Sequence, residues 1–544
     1  MFKLSILFSL AFFLISTEIS AQTNNPIPEK IRPSGLLYEL EEVATIQSSN
    51  NEAPFARINM LREAPDNSGR LFVIDLNGFL WMLDKEEQHL FLKIKDHTSK
   101  FISAPGKGTG FGAFAFHPNF KDNGKFYTSH AELPGSKTPD YSPPAGGDIS
   151  LQWVLMEWTM NAPEANSFLG TSRELLRVDY PAVLHGIQDI QFNPNAVPDD
   201  PDYGALYVCF GDGGSSLNFQ EQNIQNKSSF LGTIFRIDPL GNNGPNGEYG
   251  IPIDNPFVGE DGILEEIYCY GFRNPHRISW DTGVEQFLLI ADIGEKNLEE
   301  INIGYSGANY GWGKREGTFV YDRPKGRELV YPLPANDEEL GFTYPVAQYD
   351  HDEGLAIVGG YVYRGNLFPQ LQGHYIFGDI PSGRVFHVPV EDFKQGNVAQ
   401  IKELNFIDAE RDRTTFRKLT TVDRADLRFG IDSAGEIYFL TKADGIIRRL
   451  KPQTSTSVAE YLLTDTSLDI FPNPFQEFLQ FSWPDEPGDS GLVEIYNISS
   501  GALLSVFKVQ RTNQPLDLSG LAKGIYLIRL KIENLTFSAR IIKQ

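Results

Sequence analysis

Cysteine is the scarcest useful residue in this chain: 544 residues contain two, Cys209 and Cys269. That excludes a disulfide-stapled scaffold and a cysteine-rich structural zinc site. Both lie in apolar strand-like runs, "LYVCF" and "IYCYG", and the sequence leaves open whether they are bridged or remain two buried thiols. No C-x-x-C-H motif is present, so a covalently attached c-type haem is excluded. Basic residues are in deficit, 47 against 71 acidic, for a net charge of -24. Such a surface repels nucleic acid and anionic membranes. Beyond the first 21 residues no apolar run approaches the roughly 18 residues a spanning helix needs, so no transmembrane segment is expected in the mature protein. Extended helical periodicity is also nearly missing.

The chain does have glycine, 50 residues of it, and 12% aromatic side chains. These are organised as recurring hairpins: "GRLFVIDLNGFLWMLD" from Gly69, "GALYVCFGDGG" from Gly204, "GHYIFGDIPSGRVFHV" from Gly373 and "GEIYFLTKADGIIRRL" from Gly435. Their "NG", "SG" and "DG" dipeptides favour tight β reversals. Repeated short strands with such turns predict an all-β chain: a β-propeller over 35–452, of six to eight blades with six the expected number. Its central channel would gather strand ends from several blades. Residues 133–149 and 320–345 read as surface insertions, the second near the channel mouth. Residues 453–466 read as a linker, and 467–544, with alternating "EFLQFSW" and "KGIYLIRL", as a small C-terminal β-sandwich. At the other end Lys3, an apolar stretch from Leu4 to Ile15 and a small residue at Ala21 read as a signal peptide over 1–21, so the mature protein is expected to be exported.

Five segments concentrate chemistry: "HGIQDIQFNP" from His185, "GDGGS" from Gly211, "YGFRNPH" from Tyr270, "ADIGEKNLEEIN" from Ala291 and "NYGWG" from Asn309. Each stands at a strand end beside glycine or proline. Between them they present a histidine, an aspartate, an Arg-Asn pair and a carboxylate-rich turn, a set suited to redox or anion chemistry.

With "GFGAFAFHPNF" at 110–120, "GGYVYRG" at 359–365 and "RFGIDSAGEIYFL" at 428–440, these segments resemble the glucose/sorbosone dehydrogenase family over most of 35–452. That family contains soluble sugar dehydrogenases dependent on pyrroloquinoline quinone (PQQ) and is related to hedgehog-interacting-protein-like domains. The "EEIN…NYGW…EG" pattern ending at Glu316-Gly317 leans toward the hedgehog-interacting branch. "FPNPF" at 471–475, "LSGLAKGIYLIRL" at 518–530 and the final "ARIIKQ" resemble the sorting domain of the type IX secretion system, which implies that machinery as a partner and a secreted or cell-surface location.

The resemblance implies roles by position. His185 falls on the catalytic base, and a neutral imidazole suits proton removal from a sugar hydroxyl near pH 7. Asp212 falls on the carboxylate that holds it, although "GDGG" is also ordinary Asx-turn chemistry. Arg273 would stabilise a developing quinol oxyanion, with Asn274 beside it. PQQ carries three carboxylates, and Arg364 and Arg428 are further candidates to meet them. The turn from Asp292 to Glu300 aligns with a calcium loop, whose ligands would be the main-chain carbonyls of Gly294 and Glu295. Asp292, Glu295, Glu299 and Glu300 add negative potential there. Two departures stand out. Gly108 occupies the place of a cofactor-contacting glutamine, with Lys107 beside it as the compensating candidate. Gly186-Ile187-Gln188 replaces the usual sequence after the histidine.

The resulting expectation is an exported quinoprotein oxidoreductase that oxidises a sugar or polyol with PQQ and Ca²⁺, and passes electrons to a separate acceptor. The alternatives are a non-catalytic carbohydrate- or protein-binding propeller and, less well matched, a calcium-dependent propeller hydrolase such as a lactonase.

Overall fold

The computed structural model describes residues 25–452 apart from 86, 107, 145, 216–222 and 410–411, and residues 470–544 apart from 483–489, 498–502, 512–514 and 533–534. The expected signal peptide, the linker and Lys107 therefore lie outside the described residues.

The N-terminal unit is built from one repeated element, a four-stranded antiparallel meander. The hairpins legible in the sequence supply its middle strands. Leu71–Asp75 pairs with Phe79–Asp84 across Asn77-Gly78, His374–Asp379 with Val385–Pro389 across Ser382-Gly383, and Ile437–Thr441 with Ile446–Leu450 across Asp444-Gly445. Among the described residues six such meanders follow one another, and their first strands are Ile58–Glu63, Phe111–Phe116, Ile190–Phe192, Pro275–Trp280, Ile357–Val362 and Leu427–Ile431. Each first strand contacts the first strand of the next meander, and the last contacts the first, so the arrangement is a closed ring. This is the expected propeller. Closure is non-local: Leu40–Thr45 runs antiparallel to Ile446–Leu450 and completes the last meander, while Arg32–Glu39 runs parallel to Lys402–Ile407 of the one before it.

Aromatic rings fill the spaces between meanders. Phe72, Phe91, Phe116, Phe126 and Trp158 pack edge-on or stacked with centroids 4.8–6.0 Å apart. Each such ring contributes about 2–3 kcal/mol through burial, and the edge-on geometry adds to it. The axis, by contrast, is polar. Arg62 reaches Asp189 at 2.7 Å and the carbonyl of Ile190 at 2.8 Å, and Arg277 donates to the carbonyls of Gln188 (2.6 Å) and Asn59 (2.8 Å). These bonds tie adjacent and non-adjacent meanders together through largely buried donors that would otherwise be costly to leave unmet.

The two cysteines are free thiols. Cys209 and Cys269 both face Ile234, from strands on either side of it. Two strand spacings separate them by about 9–10 Å, beyond the reach of about 7 Å that a disulfide allows.

The C-terminal unit is the expected small sandwich. Its four-stranded sheet comprises Leu503–Gln510, Ser490–Asn497, Gly524–Ile532 and Leu535–Lys543, and its three-stranded sheet Ile470–Phe471, Phe478–Phe481 and Leu516–Asp517. The core between them is aliphatic and aromatic, including Phe475, Leu479, Ile495, Ile528 and Ile541.

Candidate active site

The start of each first strand and the end of each second strand lie at the same face of the ring, and the candidate residues collect there. His185 precedes Ile190–Phe192, and Asp212 follows Leu206–Phe210. His185 Nδ1 donates to Asp212 Oδ1 at 2.5 Å. The histidine backbone is left-handed (φ 57°), uncommon for a non-glycine residue, and its carbonyl lies 2.3 Å from where a Cβ on Gly211 would stand. The first glycine of "GDGG" is therefore needed for this approach. Asp212 is fully buried. It accepts from Gly214 N (2.8 Å), Ser215 Oγ (2.6 Å) and Trp312 Nε1 (3.0 Å) as well. The Asx turn and the histidine contact thus coexist on one carboxylate. Burial pushes the Asp212 carboxyl up, but His185, Arg273 and Ser215 outweigh it and hold it down at about 2.

Arg273 and Asn274 lead into Pro275–Trp280, where their amides donate to Asp292 (3.0 and 2.6 Å). The carbonyl of Arg273 accepts from Asp212 N at 2.7 Å, which joins the two motifs through the backbone. The Arg273 side chain is not aimed at open space. Its Nε and Nη2 bond Glu295 (2.9 and 2.7 Å), and its Nη1 bonds the carbonyls of Gly294 (2.6 Å) and Ile293 (3.1 Å).

This arrangement corrects the expectation for Gly294, whose main-chain carbonyl would hold calcium together with that of Glu295. The Gly294 carbonyl already accepts a guanidinium, and Glu295 is paired with Arg273 and Arg327. A divalent ion about 4 Å from that guanidinium would meet about 8 kcal/mol of repulsion at an effective dielectric of about 20. Among the described residues no group of three or more histidine, cysteine, aspartate or glutamate side chains is placed to hold a metal. With the Gly294 carbonyl engaged by Arg273, the pair of carbonyls expected to hold Ca²⁺ is not free to fit it.

Arg364 is a second correction. It follows the far end of Ile357–Val362, at the opposite face, and makes a two-pronged pair with Asp281 (2.8 and 2.7 Å). That geometry is an ion pair between neighbouring meanders. Arg428 does lie at the site face, near the start of Leu427–Ile431, and only 5% of it is exposed. Its donors go to neutral oxygens, Asn59 Oδ1 (2.9 Å) and its neighbour's carbonyl (2.7 Å). Burial lowers it to about 9, with Arg277 adding repulsion and Asp426 opposing.

Three roles at this face were missed from the sequence. Lys442 follows the second strand of the last meander; burial and Arg428 push its ammonium well below the usual lysine range. His276 has both ring nitrogens buried without a partner, and burial with Arg277, Arg428 and Lys442 keeps it neutral. Asn274 Oδ1 beside it is likewise unpartnered. Gln188 is the third: its amide donates to the carbonyl of Gly108 at 3.0 Å and lies 3.5 Å from where a Cβ on Gly108 would stand. The two departures noted in the sequence thus meet in space, with a glutamine amide delivered by the segment that precedes Ile190–Phe192. The segments "FRNPH" and "TKADG" that carry His276 and Lys442 give no local signal for such contacts.

A closed β-ring with a histidine–carboxylate pair and partly uncompensated cations at one face defines the class of protein. Residues 57–417 match the glucose / sorbosone dehydrogenase family, to which the chain belongs, and residues 469–544 match a secretion system C-terminal sorting domain. The HIPL2 protein of Arabidopsis thaliana is 30% identical over 369 residues, covering 59% of this chain and 50% of that protein. The Hedgehog-interacting protein of Mus musculus is 24% identical over 434 residues, covering 77% and 52%. The chain therefore spans about half the length of these relatives. In fold it resembles the soluble aldose sugar dehydrogenase of Escherichia coli in its apo form, with a TM-score of 0.52 at 17% identity over 76% of this chain and 99% of that one.

Proposed function

We propose that the protein is an exported oxidoreductase that removes a hydride from the carbon and a proton from the oxygen of a sugar or polyol hydroxyl group, with PQQ as the bound cofactor and a separate electron acceptor. The observation that carries this reading is the pair of partly exposed His185 and buried Asp212 beside cations whose donors meet neutral oxygens. An anionic, flat, acceptor-rich molecule matches what that face lacks: Arg428 and Lys442 for carboxylates, with the unpartnered His276 ring and Asn274 oxygen for polar edges. Gln188 replaces the glutamine missing at Gly108. PQQ, when bound, supplies the quinone that accepts the hydride.

The chain's own groups do the rest. With Nδ1 engaged by Asp212, His185 presents Nε2 to the substrate hydroxyl and takes its proton there. Asp212, held by Ser215 and Trp312, fixes that tautomer and balances the imidazolium that forms. Export follows in this reading from the N-terminal signal peptide and from recognition of the sorting domain by type IX secretion machinery, with release or surface attachment afterwards.

The test is reconstitution of the mature chain with PQQ, followed by dye reduction across a panel of aldoses and polyols. Cofactor uptake at micromolar concentration is expected. His185→Ala should abolish turnover and retain uptake. Failure to take up PQQ favours the second reading, a non-catalytic carbohydrate- or protein-binding propeller. The engagement of Arg273 by Glu295 and the similarity to hedgehog-interacting proteins support that reading.

A further inference from the structure

We propose that Arg273 is a tethered cation standing where the turn would otherwise seat a divalent metal, so that this site holds its ligand without calcium. The turn from Ile293 to Leu298 has two poles, and the chain satisfies both. Its carbonyl pole, Ile293 and Gly294, receives Arg273 Nη1 at 3.1 and 2.6 Å. Its amide pole closes on one carboxylate. Glu316 Oε1 accepts from the amides of Glu295 (2.7 Å), Lys296 (3.0 Å), Asn297 (2.9 Å) and Leu298 (3.2 Å), and Oε2 from Asn297 Nδ2 (2.6 Å). Successive amides converging on one anion make a nest, and here the anion belongs to the chain.

Gly294 is explained by this arrangement rather than by metal access. A Cβ there would stand 1.7 Å from the Leu298 carbonyl and 2.9 Å from Glu316 Oε1. Glu295, the remaining acidic group at the turn's centre, is 9% exposed and shared between Arg273 (2.7 Å) and Arg327 (2.9 Å). Every oxygen of this turn that a hard cation could recruit from Gly294 or the Glu295 carboxylate is thus already facing a guanidinium.

The fixed charge is also wired to the histidine. The Arg273 guanidinium lies 5.7 Å from the centre of the Trp312 ring, and Trp312 Nε1 donates to Asp212 at 3.0 Å. Arg273 is a positioning residue in this scheme. It sets the turn and the potential at Asp212, and its position does not depend on free cation concentration. Glu316, supplied by the strand Arg315–Glu316 in the insertion after Leu298–Ile303, is the group that holds the turn in this state. The inference concerns cation binding, and it stands or falls separately from the oxidoreductase reading.

The experiment is a terbium titration of the EGTA-treated full chain with tryptophan excitation, calcium competition, and Trp312→Phe to locate the signal. The wild-type chain is expected to give no Trp312-dependent emission. Arg273→Ala frees two carbonyls and the Glu295 oxygen that Arg327 does not hold, and should gain an emission that calcium competes away, with calcium affinity at least about tenfold above wild type. If Arg273→Ala does not fold, Arg273→Gln, neutral and of similar reach, replaces it. Trp312-dependent, calcium-competed emission from the wild-type chain overturns the proposal. So does a folded Arg273 variant that gains no cation.

Discussion

Asp212→Asn isolates the central contact of the site, because it changes charge and one donor while preserving shape. The carboxylate accepts four hydrogen bonds, and Oδ2 alone takes Ser215 Oγ and Trp312 Nε1. An amide nitrogen in that place can donate to a rotated serine hydroxyl, but it faces the indole N–H donor to donor. A drop in the carboxyl from 3.8 to about 2 corresponds to about 2 kcal/mol of preference for the ionised form in the folded state. Loss of one charge-assisted bond, at about 1.5–3 kcal/mol, gives the same scale. The variant should therefore lose about 2–3 kcal/mol at pH 7. A group lowered on folding stabilises fully above its unfolded value of 3.8, and that stability is lost as pH falls through about 2. The gap between wild type and variant should accordingly shrink by about half near pH 3. Urea unfolding of both proteins at pH 7, 5 and 3 measures it. A loss under about 0.5 kcal/mol at pH 7, or a gap unchanged down to pH 3, would refute the claim that an ionised Asp212 anchors His185.

Three further substitutions test other parts of the account. Burial raises the Glu300 carboxyl to about 7, with Glu316 and Glu299 adding to the effect against Asn302 and Gly317, so its stability contribution is present below 4.5 and is lost as pH rises through about 7. Glu300→Gln should thus gain about 2–3 kcal/mol over wild type at pH 9 and nothing at pH 4.5, read by urea unfolding; the unpartnered Asn302 Oδ1 can turn to accept the new amide. Arg364→Ala strands the fully buried Asp281 carboxylate and should cost about 2–4 kcal/mol in unfolding experiments, while ligand affinity at the His185 face stays within about twofold, since the pair lies at the opposite end of the ring. Gly186→Ala places a Cβ 1.9 Å from Trp153 Nε1, a rigid ring that cannot step aside. It should lower stability by about 3 kcal/mol or more, and a thermal melt matching wild type would contradict the packing described.

Local chemistry made much of this protein legible. Short apolar runs and Asn-Gly, Ser-Gly and Asp-Gly turns announce hairpins such as Leu71–Asp84 and Ile437–Leu450, because turn conformation and strand propensity are decided within a few residues. His185, Asp212, Arg273 and Asn274 could be named from their segments, since strand-end glycines mark where a ring exposes functional side chains. What sequence could not decide was pairing across distance. Ring closure joins Thr45 to Ile446, Gln188 reaches Gly108, Glu316 fills the nest of 295–298, and Arg364 turns to Asp281 at the other face. Spacing along the chain carries no information about such contacts. They arise when curved meanders close into a ring and each buried charge or amide takes the partner that geometry brings within hydrogen-bond reach.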